Sequence, residues 1–268
     1  MLEERGLAPR KSFGQNFLVD HNLICKLVDA AAVGDRDVVL EVGPGTGTLT
    51  EELLARGCRV IAAEIDRGMC ELLRERLGGN PLFTLVEGDC LDGKHAFAPA
   101  LVSALLGAMA FRPAGSSFTL VANLPYGCAT PVMMVLMAGY PACRGIFVTI
   151  QKEVGDRLMA RPGTKEYGPL TVLALATCEV ERVATLPPGC FWPRPSVTSA
   201  MISLRRRAAP QHPDPSRLLA FCHRLFEHRR KQIGSILGRD RAFPDGISPT
   251  DRAEALSLGQ LMELERTP

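Results

Sequence analysis

The chain has 268 residues, 46% of them hydrophobic and 22% charged, the balance of a globular protein with one large or two modest domains. Its first residues, Met-Leu-Glu-Glu-Arg, form no apolar leader, and the longest nearly apolar stretch, residues 101–111, is interrupted by Ser103 and Gly107. Secretion and membrane insertion are therefore not expected, since a span needs ~20 apolar residues. The net charge of +2 is uneven: residues 1–204 hold 19 Lys+Arg against 21 Asp+Glu, whereas residues 205–268 hold 12 against 8. A basic tail on a mildly acidic body suits a polyanionic partner held at one end. Nine cysteines lie at least 12 positions apart, with no CxxC pair or Cys-His cluster of metal-ligand spacing. They read as scattered, reduced thiols of a cytosolic protein, and no metal centre is expected.

In chain order, residues 11–18 (Lys11-Ser12-Phe13-Gly14-Gln15-Asn16-Phe17-Leu18) mix loop formers with apolar side chains that want burial, so the segment should pack over something. Asp20 is placed to cap a helix over His21 to Ala32. The run Val38 to Val42, the turn Gly43-Pro44-Gly45-Thr46-Gly47 and a helical pattern through Leu49, Leu53 and Leu54 form a strand, glycine turn and helix. Glycines there admit a tight turn and a ligand against the backbone, and the helix N-terminus offers free N–H groups. A second strand, Arg59 to Ala63, ends in Glu64-Ile65-Asp66, where an acid can accept from two ribose hydroxyls. GxGxG differs from the dinucleotide GxGxxG, and no Lys-Ser/Thr pair follows it. The pattern favours a nucleoside-like ligand such as S-adenosylmethionine over a nicotinamide cofactor.

A helix near 67–77 leads to a third strand, Leu82 to Val86, and to Gly88-Asp89-Cys90; Asp89 can meet an adenine amine or simply form a turn. A helix over 97–111 and a loop precede the fourth strand, Ser117 to Ala122, which delivers Asn123-Leu124-Pro125-Tyr126. Proline fixes that backbone, so an amide, a carbonyl and an aromatic ring are presented together, a set that suits a planar base with an exocyclic amine. An apolar helix from Thr130-Pro131, a fifth strand over Gly145 to Gln151, helices over Lys152 to Met159 and Leu170 to Cys178, and strands over Glu179 to Leu186 and Thr198 to Leu204 complete the body. Phe191-Trp192-Pro193-Arg194-Pro195 is a proline-stiffened aromatic loop. The alternation predicts a doubly wound, mostly parallel α/β sheet with an antiparallel end. The character changes at Arg205, and a linker from Arg206 to Pro213 then leads to helices near 216–228, 230–238 and 249–264, giving a catalytic domain over 1–207 and a helical domain over 208–268. His223 and His228 read as structural or solvent-facing.

Taken together, these motifs resemble the KsgA (RsmA) family of ribosomal RNA adenine dimethyltransferases. The resemblance runs from Lys11 to about Leu237, through the segments at Gly14–Leu18, Glu41–Gly47, Glu64–Asp66, Gly88-Asp89, Asn123–Tyr126, Phe191–Val197 and Arg229-Arg230-Lys231. It implies a Rossmann-like, S-adenosylmethionine-dependent enzyme. The positions of Asn16, Leu18, Gly43, Gly45, Glu64, Ile65, Asp89, Cys90 and Asn123 would hold the cofactor. Asn123, Leu124, Pro125 and Tyr126 would hold the target adenine, with Phe191 stacked on its other face. Lys11, Arg229, Arg230 and Lys231 would hold RNA phosphates. The implied reaction is N6,N6-dimethylation of two adjacent adenosines near the 3′ end of small-subunit ribosomal RNA by a cytoplasmic monomer that needs no metal. Two other readings share this core, a large-subunit methyltransferase of the macrolide-resistance type and a non-catalytic nucleic-acid-binding relative.

Overall fold

The computed structural model describes residues 14–110, 116–238 and 241–267. In chain order its elements are β1 (Phe17–Leu18), α1 (His21–Ala31), β2 (Val38–Val42), α2 (Thr48–Ala55), β3 (Arg59–Glu64), α3 (Arg67–Leu77) and β4 (Phe83–Glu87). There follow β5 (Leu91–Asp92), β6 (Ala96–Phe97), α4 (Pro99–Ala110), β7 (Phe118–Asn123), α5 (Ala129–Gly139), β8 (Cys143–Gln151), α6 (Lys152–Leu158) and α7 (Pro169–Thr177). The last are β9 (Cys178–Leu186), β10 (Phe191–Trp192), β11 (Ser199–Arg206), α8 (Pro215–Glu227), α9 (Ile233–Leu237) and α10 (Leu258–Arg266). Seven strands form one sheet in the order β4-β3-β2-β7-β8-β11-β9. The five from β4 to β8 are parallel, and β11 runs antiparallel to both β8 and β9.

Parallel strands are covered on both faces, so their sequences read as continuous apolar runs. β2 is buried at all five positions. Val38, Leu40 and Val42 pack with α4 and α5 on one face, and Val39 packs with α1 and α2 on the other. Asp20 caps α1, its Oδ1 accepting from Asn22 N at 3.0 Å and Leu23 N at 3.3 Å. The chain leaves β2 toward β3 and β4 on one side and returns to β7 on the other, so the strand order reverses between the carboxyl ends of β2 and β7. In open α/β sheets a ligand crevice forms at that switch point.

Three expectations from the sequence change here. The expected linker does not begin at Arg206, which is the last residue of β11 and whose guanidinium donates to the carbonyls of Leu136 (2.8 Å), Tyr140 (3.1 Å) and Cys143 (2.7 Å). The guanidinium thereby adds a second donor to the Leu136 and Tyr140 carbonyls, which already accept from Tyr140 N and Cys143 N, and ties the end of α5 to β11. Second, the division at 207 does not separate two cores, because Tyr167, Val172 and Ala176 share one cluster with Leu218, Cys222 and Leu225. Third, the final helices are shorter than their apolar patterns. Gln232 bridges to Arg252 and holds 232 extended before α9 begins at Ile233. Ser257 and Gln260 form a capping box that starts α10 at Leu258, preceded by a single 3₁₀ turn, Ala253–Ala255.

Candidate active site

β7 ends at Asn123, beside Thr149 of β8, and Leu124 N donates to Thr149 O at 3.1 Å. Leu124 is buried and anchors the corner from below. The Pro125 carbonyl accepts from Cys128 N and Ala129 N, each at 3.2 Å, where α5 begins. Tyr126 is half-buried, with its hydroxyl 3.1 Å from Ser199 Oγ. Asn123 Nδ2 donates to the Asn16 carbonyl at 2.8 Å. That bond settles which end of the amide is which: the nitrogen is engaged by the overhanging N-terminal segment, and Oδ1 is the end presented to the cavity.

The cavity has a volume of about 1070 Å³ and lies over the carboxyl ends of β2, β3 and β7. Asn16, Gly43, Gly45, Glu64, Ile65, Asp89, Cys90 and the whole corner from Asn123 to Tyr126 line it. Gly43 and Gly45 have φ of 70° and 55°. A Cβ on Gly43 would lie 2.7 Å from Pro125 Cγ, and one on Gly45 would overlap the Phe17 ring, so the turn needs glycine for conformation and for space. Glu64 is 4% exposed. Its Oε2 accepts from Gly45 N at 3.1 Å and its Oε1 from Asp66 N at 2.9 Å. Burial pushes its pKa up, while those backbone N–H groups pull it down. Asp89 turns the chain by accepting from Leu91 N at 2.9 Å. Cys128 Sγ donates to the Pro125 carbonyl at 3.5 Å, and the neighbouring Cys90 and Cys128 thiols act on one another so that the pKa of the first is raised and that of the second lowered.

Beneath the glycine turn, Glu41 is 1% exposed and accepts from Thr50 Oγ1 at 2.7 Å. Burial raises its pKa to about 8, with the Thr50 bond opposing and Glu64 adding to the rise. Folded Glu41 therefore keeps its proton until about pH 8, whereas a free carboxyl loses it near 4.5. Folding takes up a proton in that window, so stability falls as pH rises from about 5 to 8. Glu41→Gln keeps an acceptor for Thr50 without the charge. Its melting temperature is expected to vary less across that window than the wild type's and to exceed it at pH 8, as scanning calorimetry would record.

Other expected site residues lie elsewhere. Leu18 and Phe191 face each other across the β1–β10 pair and are 7% and 4% exposed, in the cluster that also holds Phe147 and Met201. Alternation puts the opposed pair Phe17 and Trp192 on the other face of these short strands, where Phe17 lines the cavity, Trp192 is exposed, and the two rings stack with centroids 6.3 Å apart. Phe191 is therefore a core residue and offers no face to the cavity, contrary to the stacking role expected for it. Lys11 lies outside the described residues. Arg230 and Lys231 are exposed, but Arg229 is spent inside the molecule. It pairs with Glu254 and donates to the carbonyls of Thr164 (2.8 Å), Lys165 (2.6 Å) and Tyr167 (3.2 Å), pinning the loop before α7.

Some cavity residues were not anticipated. Gln15 and Phe17 line it beside Asn16, and Gln15 Nε2 reaches Asp66 Oδ2 at 3.3 Å. The far end is walled by Met134 and Ala138 of α5 and by Leu219, Ala220 and His223 of α8. The 3–4 residue spacing of the α8 set was a visible signal. His223 is exposed, as expected, and stands at the rim of the cavity, where partial burial and then the nearby His95 push its pKa down.

The family model described as ribosomal RNA adenine dimethylase matches residues 6–266. The chain is 39% identical over 278 residues to the ribosomal RNA small subunit methyltransferase A of Moorella thermoacetica, covering 100% of this chain and 95% of that protein. It is 36% identical over 281 residues to the protein of the same name from Bacillus mycoides, covering 98% and 92%. Among solved structures it is similar to a dimethyladenosine transferase from Plasmodium falciparum, with a TM-score of 0.70 and 22% identity over 92% of this chain and 95% of that one. It is also similar to the 23S rRNA methyltransferase ErmE, with a TM-score of 0.65 and 26% identity over 93% and 98%.

Proposed function

The chain belongs to the ribosomal RNA adenine dimethylase family, and on that premise we propose that it dimethylates N6 of two adjacent adenosines near the 3′ end of small-subunit (16S) ribosomal RNA. The relatives named as small subunit methyltransferases support the choice of subunit. The observation that carries the chemistry is the Asn123 amide, whose nitrogen is tied to Asn16 and whose oxygen is left for a donor.

The cavity residues fit S-adenosylmethionine. Glu64, held at the end of β3 by two backbone N–H groups, suits a ribose diol, and Asp89 with Cys90 and Ile65 borders the space suited to an adenine. Gly43 and Gly45 expose backbone to the methionine portion, and Asn16 overhangs it. When bound, that cofactor supplies an electrophilic methyl group on a sulfonium centre. The adenine amine is a weak nucleophile because its lone pair is delocalised into the ring. Asn123 Oδ1 and the Leu124 carbonyl accept its two N–H groups and stabilise the positive charge that develops on nitrogen. The Pro125 carbonyl does not take part, being engaged by the first turn of α5. Tyr126 offers a stacking face worth about 1–3 kcal/mol to a base extruded from its helix. The methylated amine can release its proton to water, so no strong general base is required.

Residues 208–268 hold the RNA in this reading, through phosphate contacts at Arg230 and Lys231 that carry no sequence information. Arg230→Ala is expected to flatten the salt dependence of RNA binding by about one phosphate's worth and leave stability unchanged. Arg229→Ala is expected to do the reverse, costing about 2–3 kcal/mol of stability with the salt slope intact. Filter binding at several salt concentrations and denaturant melts separate the two. No helix among the described residues is long and apolar enough to cross a membrane, and we assign the enzyme to the bacterial cytoplasm as a monomer. Incubation with labelled cofactor and undermethylated ribosomal subunits tests the substrate. Label in small-subunit RNA is expected, and label confined to large-subunit RNA would move the chain to the macrolide-resistance type.

A further inference from the structure

On the outer face of the molecule, away from the cavity, His21 and Cys25 stand four residues apart on α1. That spacing puts both side chains on one side of a helix, and His21 Nε2 lies 3.5 Å from Cys25 Sγ. Glu52 of α2 reaches the same point, and one donor atom from each of the three lies within 4.8 Å of the other two. Ligands on a tetrahedral zinc ion, with bonds of about 2.0–2.3 Å, stand roughly 3.3–3.8 Å apart. The His21–Cys25 edge already has that length, and the carboxylate needs to close by about 1.5 Å at most. Arg56 Nε holds Glu52 Oε1 at 2.8 Å, and Asp29 holds Arg56 through Nη1 at 2.6 Å. The carboxylate is thus oriented by a partner of its own, as metal-ligating carboxylates are, and Asp29 offsets the guanidinium charge.

We propose that His21, Cys25 and Glu52 form a zinc site, with water in the fourth position. One nitrogen, one sulfur and one oxygen donor suit a borderline ion and do not suit magnesium or calcium, which take oxygen. Binding displaces the Cys25 thiol proton to solvent and requires neutral His21. The methyl-transfer chemistry uses none of the three side chains. The ion would join α1, which follows the Phe17–Leu18 segment, to α2, which follows the glycine turn, so it clamps the two helices that lead away from this side of the cavity. The set forms no contiguous sequence motif, because its third donor comes from another helix.

The test uses the full chain stripped of metal. Zinc is titrated in competition with a chromophoric chelator, and cobalt(II) is added separately as a spectroscopic probe. The expected result is one zinc per chain, a thiolate-to-cobalt charge-transfer band in the near ultraviolet, and a melting temperature raised by zinc. His21→Ala and Cys25→Ser should each lower zinc affinity at least tenfold and abolish the band. His21 is exposed and Cys25 half-buried, so the metal-free melting temperatures of both variants should match the wild type and show that they fold. Zinc binding and a cobalt band that survive both substitutions would mean that other thiols hold the ion, and would overturn the assignment. Absence of stoichiometric binding at tens of micromolar zinc would overturn it equally.

Discussion

Asn123→Ala is expected to lower methyl transfer by about 10²–10³-fold, the loss typical of removing one preorganised polar group from a charge-developing site. The fold should be unaffected, because Leu124, buried below the corner, and the Leu124 N to Thr149 O bond fix the backbone without the amide. RNA affinity should change little, since phosphate contacts and Tyr126 remain. One secondary effect follows from the 2.8 Å bond to the Asn16 carbonyl: the overhanging segment loses a tether, so cofactor affinity should weaken modestly. The kinetic signature is therefore a large fall in kcat with a small rise in the KM for cofactor. Asn123→Asp separates the two functions. It keeps an acceptor but replaces the donor to Asn16 with an oxygen facing a carbonyl, so it should lose more cofactor affinity than the alanine variant. Single-turnover assays with saturating and limiting cofactor distinguish these outcomes. A variant that keeps its turnover but fails to bind RNA would show that Asn123 belongs to the RNA surface.

Phe191→Ala is expected to cost about 3–5 kcal/mol of stability, the range for emptying a buried aromatic site, which lowers the melting temperature by roughly 10 °C in a chain of this size. The reason is its seat among Leu18, Phe147 and Met201 at 4% exposure. A stacking role would predict another pattern: near-wild-type stability with about 1–3 kcal/mol lost in target binding. Phe191→Leu sharpens the contrast, since it refills much of the volume without an aromatic face. On the structure's account Phe191→Leu should recover most of the stability and nearly all of the activity. Because Phe191 pairs with Leu18, one residue from Phe17 at the cavity wall, the alanine variant should also loosen the N-terminal overhang and raise the KM for cofactor.

The sheet was readable because its signals are local and strong. Buried parallel strands such as Val38–Val42 are apolar throughout, and glycine and proline mark the turns that end them. Glu64 and the Asn123 corner were readable for the same reason, since each stands where an apolar run stops. Phe191 was misread because it lies in a strand of two residues, too short for alternation to announce which side faces the core. Arg229 was misread because a basic run looks like surface, and only the fold brings Glu254 and the carbonyls of residues 164, 165 and 167 to it. For Arg206, nothing local reveals that the end of α5 stands beside β11. The last helix began late because capping at Ser257 and Gln260 outweighed an apolar pattern that starts earlier. For Phe191, Arg229 and Arg206 the deciding partner is remote in sequence.

On this reading the Asn123 corner directs the methyl groups to an exocyclic adenine amine. Small subunits methylated by the enzyme, digested to nucleosides and resolved by mass spectrometry with fragmentation, test it most directly. The account predicts N6,N6-dimethyladenosine, with both methyl groups on the base nitrogen and the residues adjacent near the 3′ end. Methyl groups on the ribose or on a ring atom of the base would contradict it, because a corner that accepts two N–H groups through Asn123 and Leu124 has nothing to offer those positions.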